Sequence, residues 1–134
     1  MGNKMSDPVS PLLRLMAEGK FEETIIEAQK LLGGNPSLLD SGSFLYSIGC
    51  AKSELDDGIG AIPFFLEALS TFPTTESLLI AHVQDELARV QFNLKFFNSA
   101  LFFIDLAISN FELGGNAEMK ASCETLRDKI LWQT

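Results

Sequence analysis

Hydrophobic residues recur along most of the chain at spacings of three and four, and no stretch alternates strictly between hydrophobic and polar positions. The first pattern is typical of helices with one buried face, and the lack of the second argues against strands. Glycine pairs at 33–34 and 114–115 are expected to stop helices. The pattern predicts seven helices, at about 10–17, 21–32, 38–54, 59–71, 75–93, 96–112 and 117–132.

Polar residues and proline at the ends of these stretches predict how several helices begin. We expect Ser10 to cap the first helix and Thr74 or Thr75 to cap the fifth, because their hydroxyls accept from free backbone N–H groups. Asn116 is expected to cap the last helix. Pro63 is expected in the first turn of the fourth helix, where a missing N–H costs little.

The predicted helices form pairs, and equivalent positions recur from one pair to the next. When the second helices of the pairs are aligned, Thr24, Ala61 and Ala100 correspond, at offsets of 37 and 39 residues. In the first helices Gly49 corresponds to Ala88, and residues this small let two helices cross closely. The positions four and seven residues further along the second helices, which share one helix face, are Ala28, Phe65 and Ile104, and Leu31, Ala68 and Ala107.

These small and aromatic positions, followed by Pro36 and Pro73, resemble the tetratricopeptide repeat (TPR). The resemblance covers about Pro8 to Glu112 and is strongest in the second hairpin. It implies an all-α fold in which three tandem TPR-like helical hairpins form a short right-handed superhelix within a single domain. A generic array of helical hairpins is the alternative. The three hairpins would span about 8–36, 38–73 and 75–112.

The helix predicted at about 117–132 carries a single hydrophobic stripe. Charged residues that lie elsewhere on the helix include Glu124, Arg127, Asp128 and Lys129. Helical repeat arrays need a terminal helix of this kind to cover the last exposed hydrophobic face, so we interpret it as a C-terminal capping helix. The stripe consists of Met119, Cys123, Leu126 and Ile130.

The resemblance also implies a concave groove in which the first helix of each hairpin contacts a partner protein. Its assigned residues are mainly hydrophobic, with a polar far end, which suits an extended or helical apolar segment of another protein. Alternatively, Leu13, Met16 and Phe92 fill the core between helices. The groove residues carried over by alignment are Val9, Leu13, Met16, Tyr46, Cys50, Ser53, His82, Asp85, Arg89, Phe92 and Asn93.

Phenylalanine is unusually frequent, with eleven residues against one tyrosine and one tryptophan. Phe102, Phe103 and Leu106 extend the hydrophobic surface around the sixth helix, as Phe64 does on the fourth. A helix that is hydrophobic nearly all round is buried on more than one side. These residues therefore either pack internally or form an interface with a partner or with a second copy in a homodimer.

The composition narrows the classes of partner. The chain has 134 residues, 46% of them hydrophobic, and a net charge of −8, which argues against nucleic acid and anionic membranes as partners. No hydrophobic run reaches the ~18 residues of a membrane span and the N-terminus lacks a secretion signal, so we expect a cytoplasmic protein. Gly2 fits the N-myristoylation pattern, although a single acyl chain anchors weakly.

Side chains suited to catalysis are scarce. The chain has one histidine, His82, which could pair with Asp85 or Glu86 but is expected to be structural or on the surface. Cys50 and Cys123 lack the spacing of a metal site and are expected to be buried or half-buried thiols. We therefore expect neither enzymatic activity nor a cofactor or metal.

An acidic, free-standing chain of three such repeats is similar to the bacterial type III secretion chaperones of this family. The segment 44–51 is similar in type to the opening of their second repeat. The sequence thus predicts a small chaperone or adaptor that binds an apolar segment of a partner. The alternative is a non-catalytic structural subunit of a larger complex that uses a Phe-rich convex surface.

Overall fold

The computed structural model describes residues 9–134, and every regular element among them is an α-helix, as predicted. Gly2, which fits the N-myristoylation pattern, lies outside the described residues. Within the described part of the chain, no helix is long and hydrophobic enough to cross a membrane. The helices are α1 (Ser10–Ala17), α2 (Phe21–Leu32), α3 (Leu38–Glu54), α4 (Gly58–Thr71), α5 (Ser77–Asn93), α6 (Phe97–Leu113) and α7 (Ala117–Gln133).

The helices divide into two compact units at the boundary between Phe72 and Pro73. In the first, called unit 1, α1 packs on α2, α2 on α3 and α3 on α4. In the second, called unit 2, α6 packs against both α5 and α7, and α7 also touches α5. Each unit has its own hydrophobic core.

The core of unit 1 joins α1, α2 and α3 through Leu12, Ala28, Phe44 and Ile48, each at most 1% exposed. Leu12 is the one fully buried residue of α1. Burial of this leucine therefore helps to hold the short helix α1 against the rest of the unit.

Glycines let two aromatic rings lie against the backbone of α3. A Cβ atom built on Gly49 would lie only 2.6 Å from the ring of Phe65, and one on Gly42 only 2.7 Å from the ring of Phe72. Phe65 and Phe72 are themselves buried. The close helix approach predicted at Gly49 is therefore confirmed.

The core of unit 2 lies between α5, α6 and α7 and consists mainly of small and branched residues. The capping stripe predicted on α7 contributes three fully or nearly fully buried side chains to it. The fourth, Met119, is partly buried against the same core. The core residues are Ala81, Ala88, Ala100, Ile104, Ala107, Phe111, Cys123, Leu126 and Ile130.

The positions aligned between the second helices of the hairpins are the buried ones. Eight of these nine residues are fully buried, and Leu31 alone keeps partial exposure. The three-four spacing therefore correctly predicted the inward face of α2, α4 and α6.

The turns that precede α2, α4 and α6 share one backbone conformation. Gly19, Asp56 and Lys95 each adopt a left-handed φ, of 75°, 65° and 68°. In each turn this residue donates its N–H to the carbonyl three residues back, and the next N–H donates to the carbonyl five residues back. These bonds close the preceding helix. The turns are 37 and 39 residues apart, as are the aligned helix positions. Gly115 repeats the geometry before α7.

Two predicted N-caps are wrong. α1 begins at Ser10 itself, because the carbonyl of Val9 already accepts the first helical hydrogen bonds. α5 begins at Ser77 rather than after Thr74 or Thr75, because the Glu76 N–H donates to the carbonyl of Pro73 and closes a turn over these residues. The cap predicted at Asn116 is confirmed, since its Oδ1 accepts from the N–H of Met119 at 3.1 Å.

The start of α4 and the end of α2 also differ from expectation. The Asp57 carboxylate accepts from the N–H of Gly60 at 2.9 Å, which caps α4 at Gly58 and places Pro63 in its second turn. The proline therefore removes a helical hydrogen-bond donor instead of occupying the first turn. After α2, Gly33 keeps a helical φ of −72°, and Asn35 adopts the left-handed conformation.

Candidate functional site

The six groove residues predicted in unit 1 lie on α1 and α3. Spacings of four and three residues put each set on one side of its helix. Leu13 is 61% exposed, whereas the other five are half-buried. The sets are Val9, Leu13 and Met16 at α1, and Tyr46, Cys50 and Ser53 on α3.

Two of these half-buried side chains also pack against buried residues of unit 1. Val9 packs against the cluster of buried residues formed by α1, α2 and α3. The ring of Tyr46 is tilted against that of Phe65, with 5.9 Å between centroids. Their inner edges are therefore fixed by packing, which holds the outer edges in place as a preformed surface.

The five groove residues predicted in unit 2 lie on α5, but their environments differ. His82 contacts the ring of Phe111 edge to face, with 4.9 Å between centroids. Phe92 packs against the core of unit 2, as its alternative interpretation predicted, and Asn93 is exposed. The remaining two, Asp85 and Arg89, belong to a polar cluster that joins α5 to α7.

Asp85 is the centre of that cluster and is only 3% exposed. Its Oδ1 accepts hydrogen bonds from Arg89 Nε at 2.9 Å and from Cys123 Sγ at 3.5 Å. Arg89 also donates through Nη2 to Ser122 Oγ at 3.1 Å. The Asp85 carboxylate is thus buried and hydrogen-bonded within unit 2. In the Asp85–Arg89 ion pair, Arg89 is the more solvent-exposed side chain.

The thiol of Cys123 is unreactive in this position. Its burial, together with the nearby Asp85 carboxylate, raises the pKa of the thiol to about 12. The thiol stays protonated at neutral pH, whereas the thiolate is the form that attacks electrophiles and binds metals. Among residues 9–134, no group of three or more His, Cys, Asp or Glu side chains is placed to hold a metal ion.

The residues expected either to pack internally or to form an interface separate into these two kinds. Phe64 packs against the core of unit 1, and Phe103 packs against the core of unit 2. Phe102 and Leu106 are 60% and 37% exposed. Leu113, which sequence reasoning missed, lies on the same side of α6 and is 76% exposed. Its spacing of seven residues from Leu106 is the signal that could have identified it.

A shallow depression of about 580 Å³ lies between α1 and α2 in unit 1. Leu15 and Ile26 supply hydrophobic surface there, while Arg14, Glu18 and Glu23 supply charges of both signs. Small-molecule sites are mostly apolar and enclosed. This depression has instead the mixed, open lining of an ordinary protein surface.

No protein-family model, curated protein or solved structure matches this chain. Inferences about its function therefore depend on its own residues. Those residues provide one partly hydrophobic face on α1 and another on α3, a polar cluster that joins α5 to α7, and an exposed hydrophobic face on α6.

Proposed function

We propose that this chain is a non-catalytic TPR-like module, a small cytoplasmic chaperone or adaptor that binds an apolar segment of a partner protein along α1 and α3. The observation that carries the proposal is the recurrence of one hairpin geometry. The left-handed turns at Gly19, Asp56 and Lys95 have the same offsets as the buried positions of the second helices. Stacked helical hairpins build extended binding surfaces, and the resemblance to the TPR implies that the first helix of each hairpin lines that surface.

The surface on α1 and α3 has the composition that such binding needs. It combines an exposed hydrophobic residue, Leu13, with half-buried residues such as Met16 on α1 and Tyr46 on α3. Each Å² of apolar surface removed from water contributes roughly 25 cal/mol, so a partner that covers these side chains gains affinity without any reaction. A helix or an extended strand of a partner could supply that cover.

A type III secretion chaperone is the most specific form of this proposal. The resemblance implies that such chaperones keep translocator or needle subunits soluble before export. The net charge of −8 and the three hairpins are consistent with that class. The test is the identity of the bound partner, which should be a secreted subunit with an apolar segment.

Capture of partners from the native source, followed by mass spectrometry, tests the binding surface. We expect the Leu13→Glu variant to lose the partner, because burying a carboxylate costs several kcal/mol. Ile26→Glu is the matched control, since Ile26 is 63% exposed against 61% for Leu13 but lies on α2. Tyr46→Glu should behave as Leu13→Glu does. Retention of the partner by Leu13→Glu, or equal loss from Ile26→Glu, would contradict the proposal.

The alternative function, a structural subunit of a larger complex, is favoured by one observation. Phe102 and Leu106 expose hydrophobic surface on α6, away from the side that packs in the core. A permanent subunit would keep such a surface covered. This alternative predicts a chain that is insoluble without its complex, whereas the chaperone proposal predicts a chain that is stable alone.

A further inference from the structure

α6 carries two hydrophobic seams on opposite sides. The inner seam runs through residues 100, 104, 107 and 111, all of which are fully buried in the core of unit 2. The second seam, here called the outer seam, has the same alternation of four-residue and three-residue steps about half a turn away. It consists of Phe102, Leu106, Ser109 and Leu113.

The outer seam is exposed to solvent in the part of the chain that the structure describes, residues 9–134. Phe102 is 60% exposed, Leu106 37% and Leu113 76%. Its central position, Ser109, is small and exposed as well. A three-four seam is the pattern by which one helix packs along another, so this face is shaped for a second helix rather than for a flat surface.

We infer that the outer seam binds the outer seam of a second copy of this chain, with the two α6 helices antiparallel across a two-fold axis. The order of its side chains favours this occupant. An axis between residues 107 and 108 places Phe102 opposite Leu113 of the second copy, and Leu106 opposite Ser109. Large residues then meet at both ends, and a large residue meets a small one in the middle. A two-fold contact requires this kind of self-complementarity.

Two of the acids beside the outer seam are paired within their own protomer, whereas Glu124 and Asp128 line the same depression as Ser109 and add negative charge near it. Asp105 Oδ1 is bound by Arg127 Nε at 2.6 Å, and Glu112 Oε1 lies 3.3 Å from Lys120 Nζ. Both acids are therefore neutralised within their own protomer. The two chains repel each other through their net charge of −8, so raised salt should strengthen the association.

The size of the patch sets the strength of the dimer. The exposed fractions of Phe102, Leu106 and Leu113 correspond to roughly 300–350 Å² of apolar surface. Stable interfaces bury about 800 Å² on each partner. The outer seam is therefore suited to a weak, reversible dimer whose population depends on concentration.

Sedimentation equilibrium of the full chain tests this pairing and its register. We expect the apparent mass to rise with concentration from 14.7 kDa toward twice that value. Phe102→Lys and Leu113→Glu should each weaken association at least about tenfold. The double variant Phe102→Lys/Leu113→Glu should associate more strongly than either single variant, because the antiparallel register pairs each lysine with a glutamate of the second copy.

Ile59→Lys is the matched control, since Ile59 is 60% exposed, as Phe102 is, but lies on α4 in unit 1. Circular dichroism of every variant separates loss of pairing from loss of fold. A wild-type chain that stays monomeric up to about 1 mM would overturn the inference, as would equal weakening by Ile59→Lys. A double variant that associates no more strongly than the single variants would overturn the antiparallel register. The inference is independent of partner binding on α1 and α3, because the two experiments alter different helices.

Discussion

Units 1 and 2 contain equivalent helical hairpins but stabilise them with different chemistry. In unit 1, Gly49 lets the buried ring of Phe65 lie against the backbone of α3. The equivalent residue in unit 2 is Ala88, which is buried in an ordinary hydrophobic core. Unit 2 adds a buried carboxylate, Asp85, whose hydrogen bonds join α5 to α7.

The comparison separates a backbone feature that both units share from side-chain packing that differs between them. The left-handed turn at Asp56 in unit 1 is the same as that at Lys95 in unit 2, so the backbone pattern is shared. The residues of the core differ between the units. In each unit a small residue leaves room for the ring or side chain that packs on it, and a buried polar group has a hydrogen-bond partner. Substitutions that exploit this difference should therefore act strongly in one unit and weakly in the other.

The largest effect is expected for Gly49→Val. A Cβ at this position would lie 2.6 Å from a Phe65 ring that has 0% exposure and cannot move into solvent. We expect a loss of about 3 kcal/mol in the free energy of unfolding, measured by chemical denaturation. At the equivalent position in unit 2, Ala88→Gly should lower the free energy of unfolding by only about 1 kcal/mol, mainly through helix propensity. Equal losses from the two changes would contradict the difference between the units.

The second effect concerns the buried carboxylate of unit 2. Asp85→Asn weakens hydrogen bonds from Arg89 and Cys123 to a charged acceptor, and we expect it to lower the free energy of unfolding by about 2 kcal/mol. Asp105→Asn is the control, because the Asp105–Arg127 pair is about half-exposed and should contribute less than about 1 kcal/mol. Thermal or chemical denaturation measures both. Similar values for the two variants would show that Asp85 is no more important than a surface ion pair.

The third effect is a pH dependence that originates at Cys123. Its pKa rises from 9.0 to about 12 in the folded chain, so the unfolded state loses this proton first as the pH increases. The thiol therefore contributes stability that is complete below pH 9 and decreases above it, by up to about 1.4 kcal/mol per pH unit. Denaturation of the wild type and of Cys123→Ala at pH 8 and pH 10 isolates this contribution. We expect the difference between them to narrow at pH 10, and a constant difference would contradict the shift.

The smallest effect tests the feature that both units share. Lys95→Gly and Asp56→Gly should each stabilise the chain by about 1 kcal/mol, because glycine adopts a left-handed φ without a Cβ penalty. Lys95→Ala keeps the penalty and should give no gain. Thermal denaturation measures the three variants. Stabilisation in one unit but not in the other would mean that the two turns are not equivalent.

Much of the helical framework could be predicted from the sequence, because burial leaves a periodic signal. The bounds of α2 and α3 match the predicted 21–32 and 38–54. Helix starts were harder to predict, since α5 depends on a turn closed between Pro73 and Glu76 that leaves no polar cap signal. The start of α4 depends on which of several nearby residues accepts the first free N–H.

The role of Asp85 was missed for a different reason. Its partner Cys123 is 38 residues away, and no short spacing connects the two. One local signal was present, since Asp85 lies four residues after Ala81 and three before Ala88, both of which are buried. A charged residue on the buried side of a helix requires a partner, so this position could have been expected to bind inside the fold.

Amide hydrogen exchange of the full chain, alone and with the partner captured from its native source, tests the central claim most directly. The claim is that α1 and α3 carry the binding surface through Leu13, Met16 and Tyr46. We predict slower exchange in peptides from α1 and α3 when the partner is present. Protection confined to α2, α4 or α6, with α1 and α3 unchanged, would contradict the account.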